Sequence, residues 1–286
     1  MLKFPAMSDT YTCSACGRRA QENFCANCGE PRLHQGENVG HLVHDLVHVL
    51  THADTSIFRT LRDLFRMPGE LTRAYFEGPR RRYLRPVNFF VVCNVLMFLL
   101  TAAEHIVPFS APFDIQTQRQ FYSPYIQPRA QQFLAHARDD YEVRELKRDY
   151  DVHTAHLSKS IVILLAIGFA VLLTLAFAGT KKFFVEHLVF ALHFYSFFML
   201  MTCLVGALLV FLSFLARNSG LAISTEVVGV GLLGFGSAAW LYFALRRFYH
   251  TGIASSIVRA IVLGTATIPL MILYRWFLFY ATIWTL

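Results

Sequence analysis

The sequence predicts an all-α polytopic membrane protein with about five transmembrane helices, range four to six, and a small N-terminal four-cysteine zinc ribbon. Three observations predict it. Of 286 residues, 55% are hydrophobic and only 16% are charged, with 27 Phe, whereas a soluble domain carries roughly 25% charged residues. Apolar runs of about twenty residues recur from residue 88 onward, the length that crosses a bilayer. Two CxxCG sequences stand close together near the N-terminus. Such a composition excludes a soluble fold of this size, a disordered chain, a collagen and a coiled coil. The net charge of +7 points to anionic lipid headgroups rather than to nucleic acid.

Residues 1–37 form the expected zinc ribbon. Cys13-Ser-Ala-Cys16-Gly17 and Cys25-Ala-Asn-Cys28-Gly29 place two thiolates of each pair within reach of one ion. Glycine after the second cysteine permits the positive φ of a knuckle turn. Four thiolates close a tetrahedral site, so one structural Zn²⁺ per chain is expected rather than a catalytic ion, with a redox dithiol pair as the alternative. Cys93 and Cys203 lie alone in apolar runs. Residues 1–30 show no apolar signal-peptide core, so the run near residue 88 is expected to act as an uncleaved insertion signal.

Residues 38–87 read as a cytoplasmic amphipathic helical and Arg-rich segment. His41, His44, His48 and His52 recur at +3, +4 and +4, which puts them on one helical face. Thr55, Arg59, Arg62 and Arg66 continue that face, with Leu46, Leu50, Leu61 and Leu64 opposite, until Pro68-Gly69 ends the run. The stripe reads as the polar side of a helix lying on the inner leaflet or on the membrane domain. The sharper readings are a second metal site and a pH-sensing switch.

Residues 88–286 form the membrane domain, with spans expected at about 88–107, 160–178, 187–215, 226–245 and 257–284. Between the first two lies an extracytoplasmic loop, 108–158. Its opening prolines (Pro108, Pro112, Pro124, Pro128) argue against helix, and helix becomes compatible only from about residue 130. Eight arginines (59, 62, 66, 73, 80, 81, 82, 85) precede the first span against Asp63, Glu70 and Glu77. Lys181 and Lys182, then Arg246, Arg247 and Arg259, flank later spans on the same side. The positive-inside rule makes that side, and the N-terminus, cytoplasmic.

Ionisable residues at membrane depth are functional leads. Glu186, His187 and His193 open the third span, either as headgroup-level residues or as a polar track. Arg275, among Tyr274, Trp276, Tyr280 and Trp284, reads as a snorkelling residue in an outer interfacial belt. Glu104 and His105 read the same way. Pro269 is expected to kink the fifth span. Small residues at Gly231, Gly234 and Ala238, and at Ser256, Ala260 and Gly264, read as packing faces.

Together these blocks resemble the bacterial membrane family labelled domain of unknown function 3667. The resemblance rests on the paired CxxCG knuckles, Phe58-Arg59-Thr60-Leu61, Arg66-Met67-Pro68-Gly69, Tyr75 through Pro86, and Glu186 through His193. This chain departs from the family's usual Gly-Lys-Arg at Gly78-Pro79-Arg80. The resemblance implies a zinc-ribbon, multi-pass protein of the inner (cytoplasmic) membrane and brings no assigned reaction. It draws attention to Arg80, Arg81, Arg82, Tyr83 and Arg85 as phosphate contacts, and to a polar pocket shared with Glu186, His187 and His193. The expected function is a binding, scaffold or regulatory protein that meets a cytoplasmic protein partner through the ribbon. The alternatives are a transporter or channel for a small anion or lipid, and a membrane enzyme acting on a lipid or phosphate-bearing substrate. No nucleophile or hydrolase signature supports the enzyme, and no catalytic residue is assigned.

Overall fold

The computed structural model describes residues 11–13, 17–21, 26–27, 55–78, 82–102, 109–219 and 225–286. Two short strands, β1 (Tyr11–Thr12) and β2 (Arg19–Ala20), pair antiparallel. Helices follow: α1 (Thr55–Arg66), α2 (Glu70–Glu77), α3 (Pro86–Ala102), α4 (Phe113–Gln118), α5 (Ser123–Leu134) and α6 (Asp140–Ile161). Then come α7 (Ile163–Ala176), α8 (Phe184–Ser219), α9 (Thr225–Tyr249) and α10 (Ile253–Thr285).

Apolar helices occupy all five expected positions, but fewer meet the requirements of a crossing. Phe184–Ala216, Val227–Tyr249 and Ile253–Thr285 are long and apolar enough to cross a membrane. α6 and α7 add a fourth if the pair is one span broken by 49°. The described part of α3 is 17 residues, about 26 Å at 1.5 Å per residue, against ~30 Å of hydrocarbon. Among the described residues three helices, or four with the bent pair, are long and apolar enough to cross, against about five expected in a range of four to six. Apolar length alone overlooked the bend at Val162, which leaves α7 only 14 residues.

The core of the bundle is aromatic. Phe169 stacks on Phe194 at 4.7 Å, and Trp240 meets Phe190, Phe194 and Phe197. α8 forms its spine, packing against α3, α7 and α9, and α10 closes on α7 and α9.

Residues 109–161 are more ordered than their prolines suggest. α4 and α5 form despite Pro124 and Pro128. Pro124 sits in the first turn of α5, where a missing N–H costs no helical bond, and α5 carries Pro128 in its interior. Asp139 caps α6 by accepting from the N–H groups of Tyr141 and Glu142. The three helices share a second core of Phe113, Tyr122, Ile126, Ala130 and Tyr150, seated on Phe279 of α10. Asp151 accepts from the Phe113 N–H at 2.7 Å, and Thr154 donates to Thr282 at 3.0 Å. This cap therefore covers the C-terminal end of α10. The α1–α2 hairpin lies at the opposite end of the bundle, against the start of α8 and the end of α9.

Candidate functional site

The segment before α3 is a hairpin wedged against α8 and α9. The α1 helix ends where Met67 N–H bonds the Asp63 carbonyl, and Glu70 N–H then bonds Met67 O. Gly69 makes the turn at φ 83°, a left-handed conformation that glycine adopts without penalty. A Cβ there would lie 2.7 Å from the Ala244 carbonyl oxygen, so the turn lies directly against the α9 backbone. Three polar contacts fix it. The Trp240 indole N–H donates to Leu64 O at 2.9 Å, the Arg247 guanidinium donates to Pro68 O at 2.9 Å, and Thr72 Oγ1 shares a 2.9 Å hydrogen bond with His193 Nδ1. Thr72 and His193 are both buried. The apolar face of α1 contributes Leu64, and Phe65 meets Phe197 at 5.2 Å.

A second cluster folds the link between α2 and α3 back onto α1. Tyr83 donates to Asp63 Oδ2 at 2.8 Å, and Arg62 Nε donates to Asp63 Oδ1 at 2.8 Å. Thr60 Oγ1 donates to Ser56 O and accepts from the Leu84 N–H. Burial opposes charge on Asp63. The hydrogen bonds from Arg62 and Tyr83 and the charges of Arg62 and Arg82 outweigh that cost, so its carboxyl sits below the usual carboxylate value. Burial, and then the bond to Asp63, push the Tyr83 hydroxyl up to about 12.

A third cluster joins the ends of α7, α8, α9 and α10. Phe177 stacks on Tyr249 at 3.8 Å, and Tyr249 OH and His187 Nδ1 are hydrogen-bonded at 2.6 Å. Lys182 lies 4.0 Å over Phe248, and Arg259 4.6 Å over Phe177. Glu186 takes Lys182 on one oxygen at 2.9 Å and the Phe183 N–H on the other at 2.8 Å. This is a first-turn carboxylate capping its own helix.

The structure thus places Tyr83, Glu186, His187 and His193 at one end of the bundle, each with a different partner. Tyr83 pairs with Asp63, His193 with Thr72, His187 with Tyr249 and Glu186 with Lys182. Arg82 and Arg85 are exposed, and Arg82 lies 5.9 Å over the Tyr83 ring. Arg80 and Arg81 lie outside the described residues, as do His41, His44, His48 and His52. The partners Asp63, Thr72, Trp240 and Tyr249 were not singled out from sequence. Asp63 and Thr72 are polar residues on the buried sides of amphipathic helices, which is the signal that could have found them.

Of the four expected zinc ligands, Cys16, Cys25 and Cys28 lie outside the described residues. Cys13 is buried at the end of β1. Its N–H bonds Arg18 O, its carbonyl accepts from the Gly17 N–H, and Gly17 has φ 72°. Among the described residues no group of three or more His, Cys, Asp or Glu could hold a metal.

Arg275, expected to snorkel in an outer interfacial belt, is half-buried. It lines a crevice of about 430 Å³ between α8 and α9 on one side and α10 on the other. An apolar groove of about 620 Å³ lies across α10, between it and α7. There Gly168 gives room to Leu270, whose Cδ1 would be 2.5 Å from a Cβ.

Residues 54–98 match the model of a family described as a protein of unknown function (DUF3667), the family that the motifs resemble. The match covers the α1–α2 hairpin, its Tyr83–Asp63 closure and most of α3. The CxxCG pairs and the Glu186–His193 block fall outside it. No curated protein and no solved structure shows significant similarity to the chain.

Proposed function

We propose that this multi-pass membrane protein is a binding and regulatory protein. A zinc-ribbon head built on Cys13, Cys16, Cys25 and Cys28 takes a protein partner, and the α1–α2 hairpin links that head to the membrane bundle. The observation that carries the reading is the docking of the hairpin. A surface anchor needs only an apolar face. This hairpin instead commits a buried Thr72–His193 hydrogen bond and the Trp240 indole to its seat, so displacing it leaves buried polar groups without partners on two long helices. Binding at the head can therefore bias the packing of α8 and α9 through one rigid element. The spacing of the two CxxCG pairs supports the ribbon.

In this reading the protein lies in the inner membrane with its N-terminus cytoplasmic, and charge supports that orientation. Lys182, Arg247 and Arg259 gather at the end of the bundle that carries the hairpin, as the positive-inside rule requires of a cytoplasmic face. Photo-crosslinking in intact cells tests the functional reading. The wild type is expected to capture a partner that Cys13→Ser loses, with both proteins equally abundant in the membrane. If both variants capture the same proteins, or neither captures any, the reading fails.

A further inference from the structure

The crevice between α8, α9 and α10 belongs to neither the hairpin nor the ribbon, and it has the features of a ligand site. Its volume of about 430 Å³ lies in the range of pockets that enclose small ligands. Its lining runs along α10 from Gly264 to Arg275, roughly 16 Å at 1.5 Å per residue. It is therefore long and narrow. The lower part is walled by Phe194, Phe198, Ile268 and Met271, and Gln120 and Phe121 of the cap close over it. Among the described residues of that lining, Arg275 is the charged one. Arginine keeps its charge in any environment and offers a planar fork of donors that matches carboxylate and phosphate oxygens.

A second observation points to an occupant. Ser237 is 8% exposed, lines the same crevice, and its hydroxyl has no hydrogen-bond partner among the described residues. A buried hydroxyl left unpaired costs free energy, and a ligand oxygen in the crevice would satisfy it. The depth of Arg275 supplies the orientation. Arg259 marks the hairpin end of α10, and Arg275 lies about 24 Å farther along the helix, at the headgroup level of the opposite leaflet.

We propose that this crevice binds an anionic amphiphile, with its carboxylate or phosphate on Arg275 and its apolar chain running between α8 and α10 toward Gly264. The site is open to molecules dissolved in the bilayer, because its walls are membrane helices. It stands independently of the regulatory reading, since it uses neither the cysteines nor the hairpin.

Native mass spectrometry of the purified full-length protein tests it, with three probes: oleate, the uncharged alcohol of the same chain, and phosphatidylglycerol. The expected result is at least tenfold tighter retention of an anionic probe than of the alcohol. Arg275→Gln should abolish that preference and Arg275→Lys should keep most of it. Ser237→Phe, which fills the crevice, should abolish retention of every probe. Preference for oleate alone assigns a single-chain acid, and preference for phosphatidylglycerol assigns a bilayer headgroup. Equal retention of oleate and alcohol by the wild type, or retention unchanged in Ser237→Phe, overturns the proposal. The Arg275→Lys protein guards against misreading a folding defect, because a merely structural arginine would give no charge-dependent preference for it to preserve.

Discussion

Replacing Gly69 by alanine separates backbone strain from steric contact at the hairpin turn. Gly69 has φ 83°, where an L side chain costs roughly 1–2 kcal/mol. The new Cβ would also lie 2.7 Å from the Ala244 carbonyl oxygen and 2.9 Å from the Ala244 Cα. Both are backbone atoms that move only with α9, and overpacking of this kind costs about 1–3 kcal/mol. Gly69→Ala is therefore expected to destabilise by about 2–5 kcal/mol in total. Gly179 is the internal control, since it has φ 93° and nothing within 4 Å of its Cβ position. Gly179→Ala should cost only the strain, about 1–2 kcal/mol. Urea or thermal unfolding of both variants in the same detergent, followed by tryptophan fluorescence, measures the difference. Trp240 reports directly on the hairpin because its indole bonds Leu64 O. If the two substitutions shift the transition equally, the turn does not lie against α9 and the argument for a docked hairpin falls.

Other outcomes follow from the same contacts. Trp240→Phe keeps most of the aromatic packing but strands the Leu64 carbonyl, and should cost about 1–3 kcal/mol in the same unfolding assay. Asp63 has a lowered folded pKa, so its contribution should be complete above its ordinary carboxylate value and vanish as pH falls through the folded value. Stability profiles of wild type and Asp63→Asn should accordingly converge in acid and diverge toward neutrality. Tyr83 titrates at about 12 when folded, against 10.0 ordinarily, so its contribution is whole below pH 10.0 and is lost toward about 12. Tyr83→Phe should remove that alkaline loss and lower neutral-pH stability by about 1 kcal/mol. Elemental analysis should find one zinc per chain, absent from Cys13→Ser, with the stability of the membrane bundle unaltered by chelation.

The positions of the apolar helices were legible because hydrophobic run length is a one-dimensional property. Whether each completes a crossing was not, since the 49° bend between α6 and α7 involves no residue with a breaking signature. The cap was hidden for a different reason. Pro124 reads as a breaker until its place in the first turn of α5 is known. Glu186 and His193 were visible as charged or titratable residues in an apolar run, but sequence does not supply their partners. Thr72 lies 121 positions from His193, and Leu64 lies 176 from Trp240. Pairings that distant depend on tertiary packing. Arg275 was read by its aromatic neighbours, of which Trp276, Tyr280 and Trp284 are exposed while Tyr274 is buried, and the arginine itself lines the crevice.

Those separations also dictate an order of events during synthesis. The hairpin leaves the ribosome long before its seat exists, because Trp240 is made 176 residues after Leu64. At about 5–20 residues per second the interval is roughly 10–35 s. During that time Leu64 lacks its α9 partner, and Phe65 lacks α8 until Phe197 has been made. The early closure of Asp63 with Tyr83, only 20 positions apart, can preserve the bend of the hairpin while it waits. The hairpin can therefore take its seat only after His193 of α8 and Trp240 of α9 have been made.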